Sequence, residues 1–398
     1  MSLAIYKEHF DNAYQEVFPK VLVAKEVANT RFEKVLKYGE SVERVIFDIS
    51  GVRVRSVTRG SASTIDSVTD SSELITINLE KEAAFHISDG EVTQSGPLNP
   101  GEEIGREVAR KVAIDLDGRV FAEVLNASYD FDNGDLTTGA STGTPITLSS
   151  TTVPQMVTRM PAKLRAKNNQ DIVSSMILVV DSYAASDIAQ YLLGKSIDLA
   201  GSVFKNGYTD VVSNAKMYVT ENLTGEVKIT GSGTFSNGET IVINGVTLTA
   251  VSTIGSTAGN FLIGADLAAS LTNLAGLINN PGTTSATQVA LSAANQIAFT
   301  DTFKFSAVAT ATTVVVTGIG SGRITATEAA ANAAITYSLI HAYFGKKGAI
   351  DLVVQDMKEV DMRPTADRRG TNVFTSYLAG VKTFADGAKK FLDVLITA

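Results

Sequence analysis

The stretch PGEEIGREVARKVAIDLDGRVFAEVLNA, residues 100–127, is the clearest single element of the chain. Pro100 suits the first position of a helix, and Glu102 and Glu103 suit its positive N-terminal end. The pattern predicts one helix of roughly 40 Å at the usual rise per residue. Its apolar stripe recurs every four residues, at Ile104, Val108, Val112, Leu116, Val120 and Val124.

Upstream of this helix, the sequence has the pattern of a long two-stranded ribbon. Residues 43–58 alternate between apolar and polar side chains, a polar tip follows over 60–72, and LITINL at 74–79 suits a returning strand. A two-stranded ribbon is poorly stable by itself in water. We therefore expect it to lie on its own chain or on a neighbouring copy. Residues 1–38 suggest short helical pieces.

Helices and strands are mixed in the rest of the chain, which predicts an α+β fold. Helical spacing covers 156–166 and 182–193. The expected strands are 175–180, 215–220, 335–344, 348–354, 371–382 and 391–396.

Residues 224–335 differ in composition from everything around them. These 112 positions hold only eight charged residues and are crowded with Thr, Gly, Ala, Asn and Val. β-Branched residues suit strands, and two Asn-Gly pairs suit tight hairpin turns. The block therefore predicts a small β-rich domain inserted at a surface turn. Its expected elements are a helix at 266–278 and strands at 240–243, 246–251, 286–291, 296–299 and 312–316.

Composition excludes several classes of function. The chain has no Cys, so disulfide scaffolds, thiol catalysis and cysteine metal sites are excluded, and only three His are present. A net charge of −8 argues against a protein that wraps nucleic acid. No apolar run is long enough to span a membrane, and the N-terminus has no signal-peptide core. We expect a protein that is made and kept in a cytoplasm.

No motif predicts catalysis, a cofactor or a metal. The glycines of 318–322 lack the Lys and the helix of a phosphate-binding loop, so a turn is expected. Residues 130–135 resemble the start of a calcium loop, but Ser141 stands where a bidentate Glu is needed, so a solvated turn is expected. His86 and His341 suit packed histidines better than catalytic bases. The chain is therefore expected not to be an enzyme.

Two clusters of arginine are the remaining signal. Arg makes forked contacts with carboxylates and is enriched at interfaces. The clusters could pair with acids of a neighbouring copy, or they could be solvated loops; nucleic-acid binding ranks third because the chain is acidic. The candidate contacts between subunits are Arg53, Arg55 and Arg59 on the ribbon, and Arg363, Arg368 and Arg369 in a loop.

The order of these parts resembles the major capsid proteins of tailed bacteriophages, whose shell fold is named after phage Hong Kong 97. The ribbon is similar to the extended E-loop of that family, and residues 100–127 are similar to its spine helix. Further similar stretches are the strand at 79–89, the segments 175–183 and 206–223, and the closing strands 344–355 and 377–384.

The resemblance implies a division of the chain into named parts. They are an N-terminal arm at 1–44, an E-loop at 45–79, a peripheral domain at 80–153 and 361–398, an axial domain at 154–223 and 336–360, and an inserted domain at 224–335.

The resemblance also implies a function. Family members self-assemble as hexamers and pentamers into an icosahedral shell that encloses double-stranded DNA without sequence-specific binding. Portal, scaffolding and decoration proteins are the partners it suggests, and the expected location is the virion capsid, assembled in the host cytoplasm without a membrane. Three alternatives stay open: an encapsulin-like bacterial nanocompartment shell, a cell-surface β protein of the adhesin type, and an enzyme.

Overall fold

The computed structural model describes residues 22–32, 39–48, 52–56, 59–60, 65–88, 100–168, 176–193, 211–212, 215–364 and 369–398. Over these ranges the chain has the predicted α+β fold. The helical pieces expected within 1–21 and 33–38 lie outside the described residues.

Helices are named in chain order. The α-helices of the described chain are α1 (Ala24–Val27), α2 (Pro100–Ala122), α3 (Asn133–Thr137), α4 (Thr152–Asn168), α5 (Ser182–Leu193), α6 (Leu267–Asn279), α7 (Ala293–Ile297) and α8 (Ala385–Ala388). A 3₁₀ turn, Glu123–Asn126, extends α2, and a π-helical turn, Ala298–Thr302, follows α7.

Strands are named in the same way. The first nine are β1 (Ser41–Asp48), β2 (Thr69–Thr76), β3 (Leu79–Ile87), β4 (Asp130–Phe131), β5 (Met176–Val180), β6 (Val211–Val212), β7 (Ala215–Val219), β8 (Thr224–Gly231) and β9 (Thr240–Ile243). The others are β10 (Val246–Val251), β11 (Asn260–Leu262), β12 (Phe305–Ala309), β13 (Thr313–Gly318), β14 (Ala326–Ala329), β15 (Ala333–Lys346), β16 (Asp351–Pro364), β17 (Thr371–Lys382) and β18 (Phe391–Thr397).

The predicted ribbon is an antiparallel hairpin of β1 and β2, here called the arm (residues 41–76). Its register runs from Ser41 opposite Thr76 to Asp48 opposite Thr69. The returning strand therefore begins at Thr69, inside the stretch expected to be a polar tip. Beyond the arm, β3, β17 and β16 form a three-stranded antiparallel sheet in the order β16-β17-β3.

The main core, here called the body, packs α2 against the central sheet. The predicted apolar stripe of α2 is confirmed, because Val108, Val112, Leu116, Val120 and Val124 are all buried. In the sheet, β15 pairs with β5 and β18. The N-terminal segment also packs against this core. The buried side chain of Asp117, on α2, accepts hydrogen bonds from two backbone nitrogens at the start of α1.

The carboxylate oxygens of Asp117 lie 2.8 Å from the Ala24 nitrogen and 3.1 Å from the Val23 nitrogen. Burial raises the pKa of Asp117 to about 6, although the hydrogen bonds from Ala24, Val23 and Asn222 oppose the shift. The contact fastens the start of the described chain to the middle of α2.

Residues 224–335, here called the insert, build a second core of 22 buried apolar residues. One wall is formed by the strands β12-β13-β8-β15, which are one end of a nine-stranded sheet that continues into the body as β5-β7-β6. The other wall is the four-stranded sheet β11-β10-β9-β14, and α6 packs between them. The strands predicted at 240–243, 246–251 and 312–316 and the helix at 266–278 are confirmed.

Two predicted strands of the insert are wrong. Residues 296–299 are helical, because Ser292 caps α7 through the Asn295 nitrogen and a π-helical turn continues it. Within 286–291 only Gln288 makes a bridge, to Phe261. A short apolar run suits a helix or a strand equally well until its neighbours are known.

The insert is joined to the body by a shared strand. β15 begins inside the insert and ends in the body, pairing first with β8 and then with β5, so it crosses the expected boundary at 335/336. Side-chain contacts add to the junction, because Arg323 of the insert binds the buried Asp181 of the body. The turn at Gly320 lies directly on Gly118 of α2, where a Cβ atom would come within 2.9 Å.

Candidate assembly surface

The base of the arm is anchored to the body. Ile75 of the arm and Ile77, just beyond its end, are buried with Val353 and Phe384 in a small apolar cluster. Arg44 reinforces it, because its Nη2 lies 2.6 Å from an Asp386 carboxylate oxygen and its guanidinium lies over the Phe384 ring at 5.0 Å. The hairpin is therefore held at one end.

The rest of the arm presents apolar side chains to solvent. Across the described residues, eleven large apolar or aromatic side chains are exposed, and six of these belong to the arm. Val54 and Ile65 are the extreme cases, at 105% and 91% exposure. Clustered exposed apolar groups mark interaction surfaces in soluble proteins. The other four are Val45, Val52, Val68 and Leu74.

The three arginines predicted on the ribbon lie near its tip. Arg55 Nη2 lies 2.6 Å from Asp66 Oδ1, and the backbone nitrogen of Arg53 donates to Asp66 Oδ2 at 2.9 Å. These contacts, the Arg55 side chain first, hold the pKa of Asp66 below its ordinary value. Arg59 is exposed. The ion pair joins the two sides of the arm.

The second arginine cluster lies elsewhere in the molecule. Arg363, on β16, binds Asp361 at 2.6 and 2.9 Å, and its guanidinium lies 5.6 Å from the centre of the Phe374 ring. Arg369 is exposed, and Arg368 lies outside the described residues. Each cluster has an acidic partner of its own chain, so contacts with another subunit stay a prediction.

The acidic loop at 130–135 is more ordered than the solvated turn that was expected. Asp132 is buried and caps α3 by accepting from the Gly134 and Asp135 nitrogens. Asp135 is buried as well and pairs with Lys163 at 2.6 Å. The carboxylates are occupied by backbone and lysine donors, which explains the acidic spacing without a calcium ion.

Both histidines are packed, as the sequence predicts. His86 Nδ1 lies 2.9 Å from the Asn372 side-chain oxygen. His341 is buried between Asp393, at 2.7 Å, and Glu226, at 3.5 Å. Burial lowers the pKa of His341, but the two carboxylates outweigh it and raise the pKa to about 10. This charged cluster joins β8, β15 and β18, and sequence reasoning missed it because its members lie far apart in the chain.

Two chemical features are absent from the described part of the chain. It contains no group of three His, Asp or Glu residues that could hold a metal ion. Among the described helices, none is both long enough and apolar enough to cross a bilayer.

Comparisons with known proteins give structural likenesses only. No family model matches the chain, and no curated protein matches it. Among solved structures, a protein of Mycobacterium phage Che8 has a TM-score of 0.48 at 10% identity, covering 94% of this chain and 90% of that one. The mature capsid of bacteriophage PhiM1 has a TM-score of 0.44 at 11% identity, covering 90% of this chain and 82% of that one.

A virus-like particle from Pyrococcus furiosus is also similar, with a TM-score of 0.43 at 10% identity, and the match covers 98% of both chains. Such low identities and modest TM-scores assign neither a family nor a function by themselves.

Proposed function

We propose that the chain is a structural shell subunit, which assembles with copies of itself into a closed particle through the arm. The observation that carries the proposal is the arm itself. Within its described residues, the hairpin joins an apolar cluster of the body at its base and has six large apolar side chains exposed to solvent. A two-stranded ribbon gains little stability alone. Covering its apolar face with another copy supplies the missing burial.

The energetics favour such an interface. Burying one Val, Leu or Ile side chain is worth about 1.5–3 kcal/mol. Two of the six side chains are almost fully exposed and four are about half exposed, so burying all of them gives a gain comparable to the loss of rotational and translational freedom on association. Because the arm of one copy would bind a different surface of the next, the contact is heterologous. Heterologous contacts form closed rings where the rotation between copies closes, and open filaments where it does not.

The finer features of the proposal come from the resemblance to phage capsid proteins. They are hexamers and pentamers arranged with icosahedral symmetry, double-stranded DNA held by enclosure, and a place in the virion after assembly in the host cytoplasm. Portal, scaffolding and decoration proteins are the expected partners. The acidic net charge supports enclosure rather than tight binding of DNA, since like charges repel.

The test is an assembly assay with matched substitutions. The double variant Val54→Asp/Ile65→Asp places charges on the arm, and Val308→Asp places one on an exposed site of the insert. We expect the wild-type protein and the Val308→Asp variant to form particles in negative-stain microscopy. The arm variant should elute as a folded, unassembled species with an unchanged circular dichroism spectrum. Particles from the arm variant in normal yield would contradict the proposal.

The contents of purified particles distinguish a phage shell from a nanocompartment. Nuclease-protected double-stranded DNA of uniform length inside the particles supports the phage shell. Particles that contain a co-purifying protein cargo and no DNA support the encapsulin-like alternative.

A further inference from the structure

A cleft of about 470 Å³ lies where α2, the three-stranded sheet and the insert meet. This volume is within the range of small-molecule sites, roughly 300–1,000 Å³. Four cationic side chains line it: Lys111 and Arg119 from α2, Lys81 from β3 and Lys304 from the insert. Three separate parts of the fold therefore bring positive charge to one space.

The acidic side chains of the cleft do not balance these cations. Asp115 is fully occupied, because Lys304 forms an ion pair with it and the Tyr377 hydroxyl donates to it. Asp301 and Glu82 also line the cleft, and both are exposed. After the Lys304–Asp115 pair is counted, three cations face two solvated acids, which leaves a surplus of positive charge.

Arg119 has one donor atom that makes no hydrogen bond within the described residues. This atom, Nε, is shielded from solvent. A buried N–H group without a partner is unfavourable and calls for an explanation. By contrast, Arg110 on the same helix is exposed and pairs with Glu107 at 2.5 Å.

The insert contributes its wall of the cleft through unusual backbone. Thr300 and Asp301 lie in the π-helical turn, and Lys304 has a φ of 48° although it is not glycine. Both features are uncommon and occur preferentially at functional sites. In this backbone conformation, the side chain of Lys304 reaches Asp115 of α2.

We propose that this cleft binds a small molecule through an oxyanion, either a phosphate or a carboxylate group. Arg119 offers forked donors that match the geometry of such a group, and Lys81 and Lys111 add charge. Since Thr300, Asp301 and Lys304 form the opposite wall, a bound anion lies between α2 and the insert. The site does not depend on the proposed shell function.

Calorimetry on the full chain tests the site, with inorganic phosphate and succinate as separate probes in a Tris-chloride buffer of constant ionic strength. We expect saturable binding of at least one anion, and Arg119→Gln should weaken it at least about tenfold. Arg110→Gln is the matched control and should bind like the parent. Tighter phosphate binding assigns a phosphate-bearing ligand, and tighter succinate binding assigns a carboxylate.

Hydrogen exchange gives a second reading of the same site. The tighter anion should slow amide exchange at residues 298–304 in the parent but not in Arg119→Gln. If Arg119→Gln does not fold, Lys111→Gln replaces it, since Lys111 is exposed. The proposal is overturned if neither phosphate nor succinate shows saturable binding. It is also overturned if the folded cleft variant, Arg119→Gln or its replacement Lys111→Gln, binds the anion as tightly as the parent protein.

Discussion

The arm and the insert both extend from the body of the molecule, but they differ in the burial of their apolar side chains. The insert buries 22 apolar residues in a core of its own and exposes only two large ones within its described residues, Ile297 and Val308. In the part of the arm that the structure describes, apolar side chains are buried only at its base, and six large ones are exposed. An insertion can complete its burial alone only if it is thick enough for two layers, whereas a single hairpin needs a second surface.

The largest expected effect comes from truncating an equivalent apolar side chain in each region. Leu274→Ala, in the insert core, should lower the free energy of unfolding by about 2–5 kcal/mol, because it leaves a cavity at a fully buried site. Val54→Ala, on the arm, should change the stability of the unassembled chain by less than about 0.5 kcal/mol. Urea denaturation followed by circular dichroism measures both.

In an assembly assay, the variant with the larger effect should be Val54→Ala, although it has the smaller effect on stability. Val54→Ala is expected to reduce particle yield, while Leu274→Ala particles should form whenever the insert is folded. If Val54→Ala proved as destabilising as Leu274→Ala in the unassembled chain, the arm would be packed on its own body, and the contrast between the two regions would fail.

A smaller effect is expected at the junction of the insert with the body. Arg323→Gln removes the charged partner of the buried Asp181 and should cost roughly 1.5–3 kcal/mol. Amide exchange by mass spectrometry should show faster exchange in β14 and β15, with β5 protected as before. The control is Lys228→Gln, which removes a positive charge from β8 and leaves the Arg323–Asp181 pair intact. Unchanged exchange in Arg323→Gln would mean that the shared strand alone holds the insert.

The buried histidine predicts a pH dependence at the same junction. Its folded pKa, about 10, lies above the ordinary value of 6.5, so the folded state binds the proton more tightly than the unfolded state. This contribution to stability is complete below pH 6.5 and is lost as the pH rises toward 10, with a slope of up to about 1.4 kcal/mol per pH unit.

Thermal unfolding between pH 7 and 9.5 measures this slope, and His341→Gln should flatten it. His86→Gln is the matched control, because His86 is half-buried and hydrogen-bonds to an amide rather than to carboxylates. An equally steep loss of stability in His341→Gln would assign the pH dependence to other groups.

The smallest effect is expected at the tip of the arm. Asp66→Asn weakens the exposed contacts with Arg53 and Arg55, so the melting temperature of the unassembled chain should not change. Faster amide exchange at 52–56 and 65–68 is the expected result. Glu107→Gln, in a comparable exposed pair on α2, should leave exchange in the arm unchanged; a similar change in both variants would argue against a local role of Asp66.

The sequence predicts those elements whose pattern is long and regular. The stripe of α2, the alternation of the arm and the Asn-Gly pairs of the insert are local signals. The structure confirms the stripe, the paired strands of the arm over 41–48 and 69–76, and the hairpin turn at Asn244-Gly245. The other Asn-Gly pair, at 237–238, forms a turn between β8 and β9, which do not pair with each other. The short run at 296–299 was misassigned, because the capping side chain of Ser292 and the following turn decide its conformation.

Long-range pairing lies beyond such patterns. Nothing near Glu226 or Asp393 indicates that both reach His341, and nothing near residue 335 shows that one strand pairs with strands of both the insert and the body. The alternation in the sequence marks the apolar positions of the arm, but only the structure shows that six of them are exposed within the described residues.

The strand β15 has a mechanical consequence. Its 14 residues run from the insert into the body, with one shift of register against β8 between Ile335 and Tyr337. Hydrogen bonds join the strand to β8 over its first part and to β18 and β5 over its second. A pull on the insert along this strand loads those hydrogen bonds in shear, all together, instead of unzipping them one by one. The insert is thus joined to the body by a shared β-strand rather than by a loop alone. A force applied to the insert is therefore transmitted directly to the central sheet and to α2.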